Sequence, residues 1–107
     1  MVKSKLPVRW DPMARESLDR IYEYIAKDSV GAARHVKKSL IQLAGSLGHL
    51  PEKYSKESYL YGNPENYRSV SKWRYKIIYE VTEKYVIILD VFNTSQHPSK
   101  IQNLKGR

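Results

Sequence analysis

The chain has 107 residues, which is enough for a single domain with one hydrophobic core. It carries 19 Lys and Arg residues against 11 Asp and Glu residues, and this formal charge of +8 favours an anionic partner such as nucleic acid, an acidic protein or an anionic membrane surface. Because cysteine is absent, disulfides, thiol catalysis and zinc–thiolate sites are excluded. No apolar run is long enough for a membrane helix or a signal peptide, so we expect one domain, residues 1–107, in the cytoplasm.

The N-terminal half predicts one strand followed by two helices. Residues 6–10 form the predicted strand, and Asp11-Pro12 is typical of a helix N-cap followed by proline at the first helical position. A second helix follows the break at residues 28–31 and is predicted to end at Pro51. The two apolar stripes that identify these helices consist of Ala14, Leu18, Ile21 and Ile25, and of Val36, Leu40, Leu43, Leu47 and Leu50. Such a helical hairpin needs a sheet to cover its shared apolar face.

Charged residues of opposite sign recur four residues apart along the first helix, which is typical of a solvated face. These pairs are Arg15–Asp19, Glu16–Arg20 and Glu23–Lys27.

The C-terminal half predicts three strands. Residues 67–70 suggest a short strand, residues 75–81 alternate with the period of a half-buried strand, and residues 85–89 are apolar on both faces. The break at residues 82–84 is too short for a crossover, so these last two strands should be antiparallel. The predicted order is therefore β-α-α-β-β-β, an α+β fold with two helices on one face of a small, mostly antiparallel sheet.

A cluster of cations accompanies the predicted sheet. Arg68, Lys72, Arg74 and Lys76 are expected to gather near one end and on one face of it. A sheet does not need four cations there for stability, so this cluster predicts a surface for an anionic partner.

Several kinds of chemistry are excluded by the spacing of the candidate residues. His35, His49 and His97 lie far apart, and the sequence has no phosphate-binding glycine loop, nucleophile elbow or dinucleotide fingerprint. We therefore expect no metal and no cofactor. These exclusions leave the cleavage of RNA without a metal, which needs a base, cationic donors around the phosphate and an acid.

In that interpretation each group of residues has a role. His97 is the candidate for acid or base work, and Trp73 and Tyr75 are candidates for stacking on bases. The cationic donors are Arg68, Lys72, Arg74 and Lys76. The alternative is that the cations only bind an anion and that His97 is an exposed residue of the tail.

Five short motifs together resemble the RelE/ParE superfamily of bacterial toxins, which are the toxic halves of type II toxin–antitoxin pairs. The motifs are V-R-W-D-P-x-A at residues 8–14, I-Y-E-Y-I at residues 21–25, Leu50-Pro51, Tyr67-Arg68, and Y-K-I-I-Y-E-V at residues 75–81. The resemblance runs from about Val8 to Ile101. It implies a curved antiparallel sheet backed by an N-terminal helical hairpin.

The resemblance implies one of two activities. RelE-like members cut mRNA in the ribosomal A site without a metal, whereas ParE-like members poison DNA gyrase and are not nucleases. By position, Arg68 and Lys76 match basic residues of the RelE-like strands, which with His97 gives a catalytic set. Lys72, Trp73, Arg74 and Tyr75 are then the substrate-binding residues.

The segment after the last strand departs from the family pattern. Many small members have a D-x-R-Q-N-P-like run there, and Ser95 stands where its arginine would be, with His97 where its asparagine would be. We rank mRNA cleavage first, gyrase poisoning second and a non-catalytic binding module third. The expected partners are an acidic antitoxin and either the ribosome with mRNA or DNA gyrase.

Overall fold

The computed structural model describes residues 5–54 and 66–95. Two helices pack against a four-stranded sheet, so the predicted α+β class and the order β-α-α-β-β-β are confirmed. The elements are β1 (Val8–Trp10), α1 (Pro12–Ala26), α2 (Val30–Ser46), β2 (Tyr67–Lys72), β3 (Tyr75–Val81) and β4 (Val86–Asn93).

Side-chain caps set the starts of both helices. The Asp11 carboxylate accepts a hydrogen bond from the Met13 amide at 2.8 Å, and Pro12 occupies the first turn, where its missing N–H costs nothing. The Ser29 hydroxyl accepts a hydrogen bond from the Ala32 amide at 3.0 Å and caps α2 in the same way. Polar residues at these two points therefore begin the helices where the sequence predicts.

The predicted end of α2 at Pro51 is wrong, because the helix ends at Ser46. The chain turns at Gly48, whose carbonyl accepts a hydrogen bond from the Leu6 amide at 2.7 Å. A Cβ atom at position 48 would collide with the carbonyl oxygen of Leu6. Contact with the segment before β1 thus ends the helix earlier than the apolar periodicity indicates.

The sheet has the strand order β1-β4-β3-β2, in which β1 is parallel to β4 and the other pairs are antiparallel. The bounds of β1 and β4 differ from the predicted residues 6–10 and 85–89. β1 pairs with β4 over only three residues, whereas β4 continues to Asn93 because β3 offers it partners as far as Tyr75. A β-bulge interrupts the β3–β4 register between Ile78 and Tyr79.

The predicted alternation along β3 is confirmed by burial. Ile77, Tyr79 and Val81 belong to the core beneath the helices, together with Leu18 and Leu40. Ile78 is also fully buried, but on the opposite face of the sheet, where it packs against side chains of β2 and β4. This outer face therefore has a small apolar cluster of its own. Its partly buried members are Tyr67, Leu89 and Phe92.

The charged residues of α1 are exposed, as predicted, but they do not form the three pairs suggested by their spacing. Within residues 5–54 and 66–95, Asp19 instead pairs with Lys37 of α2 at 3.2 Å, and Arg20 donates to Ser17. Exposed pairs contribute little stability, so a partner on the neighbouring helix competes easily with one a turn away. No helix in the described part of the chain is long and apolar enough to cross a membrane.

Candidate functional site

Arg68, a predicted catalytic residue, lies near the start of β2 and binds the segment that follows α2. Its Nη1 donates to the carbonyl oxygens of Glu52 at 3.1 Å and Tyr54 at 2.6 Å, and its Nε donates to Oδ1 of Asn66 at 2.8 Å. Its Nη2 lies 3.4 Å from the Glu52 carboxylate. Only 13% of the Arg68 side chain is exposed, so this guanidinium connects two parts of the fold.

Tyr79 lies opposite Arg68 in the β2–β3 pairing and is fully buried. Its hydroxyl donates to the carbonyl oxygen of Pro51 at 3.4 Å. Burial raises the pKa of Tyr79 from 10.0 to about 12, although the nearby charge of Arg68 acts in the opposite direction. Tyr79 is therefore a neutral hydrogen-bond donor that helps Arg68 to hold the segment after α2.

The expectation that the four cations share one face of the sheet is wrong. Residues directly opposite each other in an antiparallel pair share a face, so Arg68 lies on the helix side with Tyr79. Lys76 is paired with Ser71 and Phe92 and points to the outer face with Ile78. The register of the tight β2–β3 turn causes this separation, because successive side chains in a strand alternate between faces.

The last residue of β2 and the turn that follows it, residues 72–74, are named here the hairpin tip. Trp73 is 55% exposed and has a positive φ of 55°, which is uncommon for a residue with a side chain. The Nζ of Lys72 lies 5.1 Å from the centre of the Trp73 ring, and the His35 ring of α2 lies 5.7 Å from it. Arg74 is exposed, and its carbonyl accepts a hydrogen bond from the Thr94 amide at 2.7 Å. The structure thus brings Lys72, Trp73 and Arg74 together.

Tyr75 lies at a different site, a cleft of about 430 Å³ between α1 and the ends of β3 and β4. The polar side of the cleft is a short network, in which Arg20 donates to Ser17 Oγ at 3.1 Å and Ser17 donates to Asp90 at 2.5 Å. The cleft is lined by Ser17, Arg20, Ile21, Tyr24, Tyr75, Asp90, Val91, Phe92 and Asn93. Aromatic rings and a satisfied polar network make it suited to an apolar or aromatic group.

The remaining predicted site residue, His97, lies outside the described residues. Ser95 is exposed, and its amide donates to Oδ1 of Asn93 at 2.9 Å. In the described ranges, no three His, Cys, Asp or Glu side chains lie close enough together to hold a metal ion. Arg68 and Lys76, on opposite faces, do not converge on a single phosphate.

Sequence reasoning missed His35, Ser17 and Asp90 as members of these sites. Asp90 had a visible signal, since it is the single acid within the apolar residues 86–92. His35 had none, because its contact with Trp73 depends on how α2 packs over the hairpin.

The family model for the ParE toxin of the type II toxin–antitoxin system parDE matches residues 8–98. The fold is similar to a chain of the chromosomal ParDE system from P. aeruginosa, with a TM-score of 0.68 and 17% identity over 85% of this chain and 98% of that one. It is also similar to a chain of the toxin–antitoxin complex RelBE2 from Mycobacterium tuberculosis, with a TM-score of 0.63 and 20% identity over 90% and 97%.

No curated protein sequence matches the chain. The two solved structures therefore establish a shared fold, and the family model, which spans most of the sequence, establishes the family. The chain belongs to the ParE toxin family of type II toxin–antitoxin systems, within the RelE/ParE superfamily.

Proposed function

We propose that this chain is a toxin that poisons DNA gyrase and is not itself a nuclease. The engagement of Arg68 carries the proposal. A donor that stabilises a phosphorane must be aimed at the place where charge develops. The guanidinium of Arg68 instead donates to Glu52, Tyr54 and Asn66, and little of it is exposed.

Two further observations support the proposal. The other cation that matches a RelE-like position, Lys76, points away from Arg68 on the far side of the sheet. In addition, Ser95 stands where a nuclease would have an arginine. Loss of such a cation costs several kcal/mol of transition-state stabilisation, on the order of 3 kcal/mol. Gyrase poisoning requires none of these three cationic positions to act on a phosphate.

A cognate antitoxin is the second part of the proposal. Both similar structures belong to toxin–antitoxin systems, and the charge of +8 suits an acidic antitoxin segment. We place both partners in the cytoplasm, where gyrase acts.

Ribosome-dependent mRNA cleavage is the second candidate, and the hairpin tip favours it. Lys72 and Arg74 are exposed cations beside an exposed aromatic ring, which is a combination that binds unpaired bases and phosphates. His97, as an acid or base, would complete such a site.

A two-armed assay separates the two candidates. In the first arm, the purified chain is incubated with DNA gyrase and supercoiled plasmid, and linear DNA is measured after detergent and protease treatment. In the second arm, the chain is added to ribosomes translating a defined mRNA, and new 5′ ends inside codons are mapped. We expect linear plasmid and no codon cuts, whereas codon cuts without linear plasmid would overturn the proposal.

Matched variants sharpen this assay. Lys76→Ala removes a candidate catalytic cation, and Lys84→Ala removes an exposed cation from the β3–β4 turn. If gyrase is the target, neither variant changes codon-specific cleavage, because there is none. If mRNA is the target, only Lys76→Ala lowers it. The antitoxin is tested by expressing the chain with and without a short reading frame that lies next to its own gene, and we expect growth arrest that the second protein relieves.

A further inference from the structure

The hairpin tip and α2 form one continuous exposed surface, because the His35 and Trp73 rings are in contact. His35 lies between Arg34 and Lys38 on the exposed side of α2, where residues three and four apart are neighbours. We name this surface the tip patch. It consists of Arg34, His35, Lys38, Lys72, Trp73 and Arg74.

Among the residues that the structure describes, the tip patch contains cations without compensating carboxylates. Neither α2 nor residues 67–79 contain an Asp or Glu residue. In the described part of the chain, the one salt bridge of α2 uses Lys37, which pairs with Asp19, whereas Arg34 and Lys38 have no carboxylate partner. Like charges four residues apart on a helix repel each other. Within residues 5–54 and 66–95, positive charge at the tip patch is therefore not neutralised by a carboxylate.

Trp73 adds an unusual aromatic ring to this charge. A φ of 55° favours glycine, and a tryptophan held there carries conformational strain, which tends to occur at functional positions. The His35 ring and the Lys72 Nζ lie 5.7 Å and 5.1 Å from the centre of the Trp73 ring, and 55% of the residue remains exposed. The exposed part of the Trp73 ring, with cations beside it, is thus accessible to a ligand.

We propose that the tip patch binds single-stranded nucleic acid, with an unpaired base stacked on Trp73 and the adjacent phosphates on the α2 and tip cations. Stacking platforms flanked by positive charge bind single strands without strong sequence preference, because every base has a π-face. An acidic protein segment would use the cations but would gain little from the exposed ring. The proposal assumes neither gyrase nor the ribosome as the target of the toxin.

The sequence offers a direct reporter for this binding. The chain has two tryptophans, and the other one, Trp10, packs against the core. Trp10→Phe therefore leaves Trp73 as the single tryptophan. We expect oligo-dT or oligo-rU to quench its fluorescence in low salt, and the comparison of the two distinguishes a DNA strand from an RNA strand.

Removal of the ring tests stacking. Trp73→Gly keeps a residue suited to the positive φ, so the tip retains its shape. We expect this variant in the full chain, monitored by anisotropy of a labelled oligonucleotide, to bind about tenfold or more weakly. Trp73→Phe, which keeps an aromatic face, should recover part of the lost affinity.

Removal of charge tests the phosphate contacts, with a control of equal charge change. Arg34→Gln with Lys38→Gln should reduce the salt-dependence slope by about 1.4, since each neutralised phosphate of a single strand contributes about 0.7. Arg15→Gln with Lys84→Gln removes two exposed cations elsewhere and should leave both the affinity and the slope nearly unchanged. Circular dichroism checks that all variants are folded.

Three results would overturn the proposal. The first is unchanged Trp73 fluorescence on addition of either oligonucleotide. The second is equal weakening by the two double variants, which would indicate attraction by net charge alone. The third is equally tight, Trp73-dependent binding of poly-glutamate, which would assign the patch to an acidic protein. Because the measurement contains no gyrase and no ribosome, its failure is distinct from failure of the proposed toxin target.

Discussion

At the start of β2 the guanidinium of Arg68 is almost buried and donates to three residues, whereas at the end of the same strand Lys72 extends over an exposed tryptophan. The first end connects the sheet to the segment after α2, with Tyr79 bonded to Pro51 beside it. At the second end, the ring of Trp73 lies beside the ring of His35 in the N-terminal half of α2. Arg68 and Lys72 thus differ in their surroundings although they belong to the same six-residue strand.

The role of each cation in this strand depends on whether its N–H groups donate to acceptors within the fold or face solvent. A buried guanidinium requires fixed acceptors, because desolvating a charge without partners is costly. An exposed cation keeps its water and can exchange it for an external anion. Stability should therefore depend on the Arg68 end and binding on the tip, and the following variants test this division.

The largest effect is expected for Arg68→Ala. It leaves the carbonyls of Glu52 and Tyr54 without their donor, and we expect the free energy of unfolding to fall by about 3 kcal/mol. Arg74→Ala, the matched loss of an exposed arginine, should change it by less than about 0.5 kcal/mol. Urea denaturation measures both. Equal effects would remove the distinction between the two ends.

Gly48→Ala tests the close contact beyond the end of α2. The added methyl would collide with the backbone of Leu6, so we expect a loss of about 2 kcal/mol or more in unfolding free energy. Gly45→Ala is the control, because no atom lies within 4 Å of a Cβ there and alanine is the better helix former. It should raise stability by about 0.5–1 kcal/mol. A neutral Gly48→Ala in thermal melts would contradict the close approach.

Tyr79→Phe should change the pH dependence of stability. The pKa of Tyr79 is raised from 10.0 in the unfolded chain to about 12 in the fold, so its contribution is complete below pH 10 and is lost between pH 10 and 12. By pH 12 that loss amounts to about 2 kcal/mol.

Denaturation curves between pH 8 and pH 12 measure this difference. Tyr79→Phe should lose less stability over the alkaline range than the parent chain, although it loses one hydrogen bond at neutral pH. Tyr24→Phe, in which the replaced ring is 73% exposed, should follow the parent. Parallel curves for Tyr79→Phe and the parent would be inconsistent with the raised pKa.

The smallest effect is expected for Trp73→Gly, which should stabilise the fold although it removes a side chain from the hairpin tip. Glycine adopts a φ of 55° without strain, so unfolding free energy should rise by about 0.5–1 kcal/mol, while nucleic-acid binding falls. A stabilised variant that has lost binding would sharpen the contrast between the ends of β2. A destabilised variant would show that the Trp73–His35 contact is structural.

Interactions between residues close together in the chain determined the starts of the helices, the β3–β4 turn and the two faces of β3. Asp11-Pro12 and Ser29 begin the helices, the polar residues 82–84 lie in the β3–β4 turn, and the period along β3 separates its two faces. Each of these features depends on neighbours within a few residues, so the amino-acid sequence alone predicts them, and with them the α+β order and the family resemblance.

Tertiary structure alone decided the roles of the cations. A shift of one residue in the β2–β3 register would exchange the faces of Arg68 and its neighbours, and the sequence around Trp73 does not specify that register. The acceptors of Arg68 lie on a distant segment, and the ring beside Trp73 comes from α2. Contacts between residues far apart in the chain arise only when the helices pack on the sheet. The sequence therefore predicts the positive charge, but it does not predict which cations are bonded within the fold and which are exposed.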